Sequence, residues 1–255
     1  MNLHLPAHLA DGYTSASQRA RRVTEPWGAD NLYCCACISP RLDSLKNNAQ
    51  VSDLVCPACT ERYQLKSQSK EISGRILGSN YQKMCEAIAT NLAPNFFLLR
   101  YQLPAWLVRD LLLIPKFAIT NSAIVPRKPL GATARRKFWQ GYTLDLTQIP
   151  SVAKIPLVTE GIARPPAEVR ADYSRIEPIR ALKPEQRGWT LDVLRCVELL
   201  GKEIFTNAEI YGFEEQLSVQ HPGNHHVRDK IRQQLQVLRD GGFLESVERG
   251  IWRKK

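Results

Sequence analysis

The chain reads as an α/β (α+β) core built around a four-cysteine knuckle and followed by a C-terminal winged helix. Three observations predict this. Two C-x-x-C units, Cys34/Cys37 and Cys56/Cys59, can bring four thiolates tetrahedrally onto one Zn²⁺, leaving no open position on the metal, so the zinc is structural. Short continuous apolar runs at Phe96 to Tyr101 and Leu111 to Ile114 suit central strands buried on both faces. From Arg187 onward the pattern changes to helical stripes ending in a glycine-turned ribbon.

Taken in order, Ser15 to Val23 predicts a short helix with Ser15 or Ser17 as its cap. Its Arg19, Arg21 and Arg22 suit either a phosphate contact or a solvated face. Within the cysteine frame Cys35-x-Cys37 is a competing pair, and the two-residue spacing favours Cys34. Val51 to Val55 and Arg62 to Ser67 read as strands. Alternation puts Gln64 and Lys66 on one face and Tyr63 and Leu65 on the other. If the two strands pair, the second knuckle replaces the hairpin turn and Asp53 lies near Gln64 and Lys66. Hard oxygen ligands beside an ammonium are what a Mg²⁺-dependent phosphodiester hydrolase needs.

A polar, glycine-containing loop then leads into a helix over Ser79 to Thr90, whose Met84, Ala87 and Ile88 cover the sheet. Cys85 and Cys196 fall in helical patterns and read as small core residues. Asn121 to Gln140 holds Arg127, Lys128, Arg135, Arg136 and Lys137, no acidic residue, and Phe138-Trp139. Basic groups beside an exposed aromatic suit DNA; a core Trp139 with solvated arginines fits the pattern equally. A strand at Ile155 to Val158 precedes a proline-spaced, charged linker running through Lys183-Pro184.

In the C-terminal part, Thr190 is expected to cap a helix carrying Leu191, Leu194 and Val197. Thr206-x-x-Glu209 is a capping-box signature for a second helix with Ile210, Phe213 and Leu217. A third helix runs from near Asn224 to Gly241-Gly242, before a ribbon over Phe243 to Arg253 with its turn at Arg249-Gly250. Val227, Ile231, Leu235 and Leu238 form the third helix's buried stripe. His225, Asp229, Arg232, Gln233 and Gln236 lie opposite, where a recognition helix would meet the major groove. His221, His225 and His226 sit in a loop-like setting without cysteines nearby, which argues against a second metal.

Composition sets outer bounds. The 44% apolar content excludes a disordered chain, and 255 residues can bury a substantial core. Thirty-five Lys and Arg against 25 Asp and Glu give a formal charge of +10, which favours a polyanionic partner. No run reaches membrane-span length and the N-terminus lacks a signal-peptide pattern, so a cytoplasmic protein without a membrane partner is expected. Seven cysteines, four of them in knuckles, fit metal binding in a reducing compartment better than disulfides.

The order Asp53, then Gln64-x-Lys66, resembles the PD-(D/E)xK nuclease superfamily. The cysteine frame around it is similar to that of DpnI-like methyl-directed (type IIM) restriction endonucleases. Further shared runs follow in the same order at Pro94-Asn95-Phe96-Phe97, Arg127-Lys128-Pro129-Leu130, Thr133-Ala134-Arg135-Arg136, Arg187-Gly188-Trp189-Thr190 and Lys230-Ile231-Arg232-Gln233-Gln234-Leu235. A nuclease domain over 1–183 and a winged-helix domain over 184–255 are expected, in a monomer. The resemblance implies Asp53 and Gln64 as Mg²⁺ ligands and Lys66 as the third catalytic group. The implied partner is double-stranded DNA at GATC with N6-methyladenine on both strands. Arg127, Lys128, Arg135 and Arg136 would contact it from the first domain, and His225, Arg232, Gln233 and Gln236 from the second. Trp139 aligns with a tryptophan that meets the methylated adenine. One departure stands out: the family pattern has a glutamate where this chain has Gln64. The site loses a negative charge, so weaker Mg²⁺ binding is expected, with Glu61 a nearby carboxylate able to compensate. The rival expectation is a catalytically decayed zinc and winged-helix regulator, or reader of methylated DNA.

Overall fold

The computed structural model describes residues 1–45, 51–72 and 74–255; part of the polar loop expected between the knuckles lies outside them. Helix α1 (Ala16–Asn31) continues well past Val23 despite Pro26 in its interior. An interior proline costs about 3 kcal/mol. Burial of Val23, Thr24, Trp27 and Gly28 along one side offsets it, and the Trp27 indole donates to the Asn2 carbonyl at 2.7 Å.

Strand β1 (Asp43–Ser44) precedes β2 (Leu54–Val55), which is shorter than the Val51 to Val55 segment expected, because Val51 has a left-handed φ of 64°. Strand β3 (Arg62–Gln68) pairs antiparallel with β2 through Leu54↔Tyr63 and Val55↔Arg62, so the second knuckle does occupy the hairpin turn. Next come β4 (Arg75–Asn80) and α2 (Tyr81–Ala89), capped by Asn80, whose side chain accepts from the Lys83 amide at 2.8 Å. Strand β5 (Asn95–Gln102) runs parallel to β3, and β6 (Leu107–Ile114) antiparallel to β5. The apolar runs that predicted β5 and β6 are buried, with Phe97, Leu99, Leu111, Leu113 and Ile114 fully inaccessible.

Strands β7 (Ile124–Pro126), β8 (Gly141–Asp145), β9 (Ile155–Thr159) and β10 (Ile162–Ala163) complete this part. The main sheet has the order β1-β2-β3-β5-β6-β9-β10, and a second sheet, β4-β8-β7, stands beside it. That second sheet was not expected: residues 75 to 78 read as loop. The expected linker is also corrected. It contains α3 (Pro166–Arg175) and α4 (Glu177–Arg180), which bury Val169, Tyr173 and Ile179 in the same core as β9. Prolines stand at the first turn of each helix, where a missing N–H costs nothing.

A second core follows. Helix α5 (Pro184–Leu199) begins at Pro184, so Thr190 is not its cap. Buried Thr190 Oγ1 lies within hydrogen-bond reach of both the Gln186 carbonyl (2.8 Å) and Gln234 Oε1 (2.7 Å). Strand β11 (Ile204–Thr206) leads into the predicted capping box, present at Thr206 and Glu209, but the helix it starts is short: α6 (Asn207–Tyr211) breaks before α7 (Glu214–Gln220). Helix α8 (Val227–Asp240) starts three residues after Asn224 and buries the expected stripe of Val227, Ile231, Leu235 and Leu238. Strands β12 (Leu244–Glu248) and β13 (Ile251–Lys254) form the wing, and β11 pairs with β13 as a third strand. The chain is therefore a mixed α/β core with a four-cysteine cluster, followed by a winged helix. No helix among the described residues is long and apolar enough to cross a membrane.

Candidate active site

The knuckles close on each other. Sγ atoms of Cys34, Cys37, Cys56 and Cys59 all lie within 4.8 Å of one another, with Cys34 to Cys59 at 3.5 Å and Cys37 to Cys56 at 3.6 Å. Zinc–sulfur bonds of about 2.3 Å at tetrahedral angles require sulfurs roughly 3.8 Å apart. The four thiols thus fit one Zn²⁺. Cys35 is outside the cluster: its thiol points to the Tyr33 carbonyl at 3.8 Å, and burial pushes it well above the ordinary thiol range. Amide donors of Ser39 and Cys59 reach Cys37 and Cys56 sulfurs at 3.5 Å.

Two contacts invisible to local sequence patterns hold the frame. Tyr63 of β3 places its hydroxyl 3.2 Å from Cys34 Sγ and 3.1 Å from the Cys35 amide. Arg170 of α3 donates to the carbonyls of Cys34 (3.0 Å), Cys37 (2.7 Å) and Ser39 (3.1 Å). No spacing rule links residue 170 to residue 34.

With the turn fixed, Asp53 is pinned to β3. Its amide donates to the Tyr63 carbonyl at 2.9 Å, and its Oδ2 accepts from the Leu65 amide at 3.0 Å. On the face of β3 toward α1, Leu65 packs so close to Gly28 that a Cβ there would lie 2.9 Å from its Cδ2, and Ser67 meets Thr24 at 3.1 Å. Gln64 and Lys66 take the other face, about 7 Å apart along the strand. Gln64 is only 7% exposed, and its Oε1 accepts no hydrogen bond among the described residues. Burial pushes the Asp53 carboxyl above its ordinary range, against the pull of the Leu65 amide and the Lys66 charge. Burial likewise pushes Lys66 down, while Asp53 pulls it back up. The hairpin therefore carries a desolvated carboxylate and a desolvated amine in each other's field, and an orphaned carboxamide oxygen on Gln64.

Glu61 does not join them. Buried at 5% exposure, it is held by Lys116 Nζ (3.0 Å), Arg180 Nη2 (2.8 Å) and Asn95 Nδ2 (3.2 Å). Its oxygens are committed to that cluster, which overturns the idea of a compensating ligand. Removing one member of a buried ion cluster strands the others, at a cost of about 3–5 kcal/mol. Glu61→Ala is accordingly expected to lower unfolding stability by that amount in urea titrations.

The cationic stretch forms a hydrogen-bonded loop ahead of β8. Arg127, Lys128, Arg135, Arg136 and Lys137 are all exposed and pair with no carboxylate among the described residues. Trp139 is half-buried, its ring against Gly141, where a Cβ would meet it at 3.0 Å. It is thus neither fully core nor fully free.

Arg232, Gln233 and Gln236 are exposed on α8 opposite its buried stripe, and His225 is exposed ahead of it. His225 precedes α8 rather than lying on it. Arg232 is engaged by Asp229, and Gln233 accepts from Lys230 at 3.0 Å. His221 is separate from them: it contacts Asp192 at 2.8 Å and stacks on Trp189.

Comparison with protein-family models matches residues 1–182 to the Dam-replacing family, DpnI, and residues 185–254 to the Dam-replacing HTH domain. Between them the two matches cover both cores and carry restriction endonuclease and DNA-binding character. On this basis the chain belongs to the Dam-replacing, DpnI family.

Proposed function

We propose that the protein is a type IIM endonuclease that cleaves double-stranded DNA at GATC sites carrying N6-methyladenine on both strands, by Mg²⁺-dependent phosphodiester hydrolysis. Residues 1–183 act as the nuclease domain and 184–255 as a second DNA reader. What supports this reading is a buried, partnerless Oε1 of Gln64 on the same hairpin as a desolvated Asp53 and Lys66. Buried polar atoms left without a partner are uncommon. An oxygen in that state beside a carboxylate suits a hard cation.

Asp53 and Gln64 would hold Mg²⁺, which when bound supplies Lewis acidity at the scissile phosphate. The Leu65 amide fixes the Asp53 carboxylate before substrate arrives. Lys66 places an ammonium against the charge developing on phosphate oxygens, where low polarity strengthens its effect. Zn²⁺ on the four cysteines would keep the hairpin turn closed. Arg127, Lys128, Arg135 and Arg136 bind phosphates, while Trp139 meets the methylated adenine and His225, Arg232, Gln233 and Gln236 face the groove.

Strict methyl dependence needs more than burial. One methyl is worth about 0.8 kcal/mol, roughly fourfold, and two about sixteenfold if additive. Either the two domains test the mark in succession, or the scissile phosphate is positioned only when the methyl pocket is filled, so that selectivity resides in the cleavage rate. Trp139→Ala is expected to reduce the ratio of cleavage rates on methylated and unmodified duplex by about tenfold; an unchanged ratio removes Trp139 from the readout. The missing charge at Gln64 sets a second expectation. Gln64→Glu should lower the Mg²⁺ concentration for half-maximal cleavage by about tenfold, equivalent to about 1.4 kcal/mol.

Because Gln64 is uncharged, a decayed DNA-binding regulator is the rival. Incubation with adenine-methylated and unmethylated plasmid plus Mg²⁺ separates them. Fragments from the methylated plasmid alone support the endonuclease; retardation without strand breaks supports the regulator.

A further inference from the structure

The most exposed aromatic side chain on the cationic loop is Phe138, at 72% exposure. Its backbone also has a φ of 58°, a left-handed conformation that bulky residues rarely adopt. Two costs thus meet at one residue: an apolar ring left in water, and backbone strain with no packing gain to offset it. The loop around it is not loose. The Phe138 amide donates to the Leu130 carbonyl at 3.1 Å, Leu130 to Trp139 at 2.9 Å, and Trp139 to Arg136 at 3.2 Å. The Gln140 side chain ties back to the Arg127 carbonyl at 2.8 Å. Hydrogen bonds hold the ring outward.

Backbone strain held in place by a surrounding framework clusters at sites where the held group meets a partner, and among the strained non-glycine residues Phe138 is the one with an exposed apolar ring. The partner's chemistry follows from the neighbours. Arg135, Arg136 and Lys137 immediately precede the ring, Arg127 and Lys128 stand on the other arm of the loop, and no acidic residue lies between Asn121 and Gln140. A polyanion that also offers flat apolar surface matches this. Duplex DNA has both, phosphates for the cations and base faces for the ring.

We propose that Phe138 is a wedge that presses against a base step of the bound duplex and partly unstacks it, next to the base met by Trp139. Apolar rings used this way open a step and deform the helix, so sequence is read through the ease of unstacking as well as through base edges. The inference rests on the DNA-cleaving reading above and adds a residue that this reading does not need.

Two substitutions test it, one of them through effects of opposite sign on affinity and stability. Phe138→Gly removes both ring and strain, and Phe138→Ala removes the ring while keeping the strained backbone. Both are expected to weaken binding to a methylated GATC duplex about tenfold or more, the loss of one ring–base stack, in fluorescence anisotropy with Ca²⁺ replacing Mg²⁺. Phe138→Gly should at the same time melt at the same or a higher temperature than wild type. A duplex with 2-aminopurine flanking the site should brighten on binding wild type and stay dim with either variant. Affinity unchanged in Phe138→Gly, or no fluorescence change with a wild type that binds, overturns the wedge alone. A lower melting temperature in both variants makes the ring a packing element and also overturns it. Failure of wild type to bind any duplex overturns the underlying reading.

Discussion

Lys66→Ala is expected to slow cleavage of methylated duplex by about 10²–10³-fold, the loss that follows removal of a preorganised charge from a transition state. Binding of the same duplex should change by less than a few fold. The separation follows from position. Lys66 lies on the face of β3 shared with Gln64, desolvated and in the field of Asp53, whereas the residues of the cationic loop are exposed and pair with no carboxylate among the described residues. An ammonium buried beside a carboxylate helps where new negative charge appears, at the reacting phosphate, and contributes little to ground-state affinity. Single-turnover rates on a synthetic duplex, with affinity measured in Ca²⁺, check both halves. A variant that binds poorly but cleaves at the wild-type rate once saturated would make Lys66 a docking residue instead.

Removing metal from the cysteine cluster should have the largest effect on stability. Structural zinc contributes of order 10 kcal/mol in the smallest zinc domains, comparable to the whole stability of an ordinary domain, about 5–15 kcal/mol. Here the cluster closes the β2–β3 turn, and Tyr63 and Arg170 couple it to the sheet and to α3. Prolonged chelation, or Cys56→Ser, is therefore expected to abolish the cooperative thermal transition of the N-terminal core. The C-terminal core around Trp189, Ile231 and Leu235 has its own apolar residues and should keep its transition. Calorimetry paired with metal analysis checks this: one zinc per chain before treatment, none after, and one transition lost. Metal-free protein with an unaltered melting profile would contradict a structural role.

How much of this could be read from the chain follows from where each signal resides. The knuckles, β5, β6 and the buried stripe of α8 were legible because spacing or apolar periodicity within a few residues determines them. Strand β4 was not. Its residues Arg75 to Asn80 carry no alternation; the strand exists because Ile76 pairs with Leu144 and because Gly78 lies flat on the Tyr142 ring, where a Cβ would approach to 2.1 Å. Helices α3 and α4 were hidden by their leading prolines, which read as linker punctuation although a first-turn proline suits a helix. Thr190 has the identity of a cap but sits inside α5, its hydroxyl within reach of Gln234 across the core. At the site, alternation along β3 assigns Gln64 and Lys66 to one face, opposite the Leu65 and Ser67 that meet α1. Glu61 was misjudged, since only tertiary structure brings Lys116 and Arg180 to it and removes it from metal binding.

Diffraction from crystals soaked in Mn²⁺, recorded at the manganese edge, would locate the catalytic metal. An anomalous peak is expected in coordinating contact with an Asp53 carboxylate oxygen and Gln64 Oε1, with Lys66 alongside but not bound to it. Manganese bound elsewhere, with Gln64 Oε1 taken up by a protein donor, would contradict that placement.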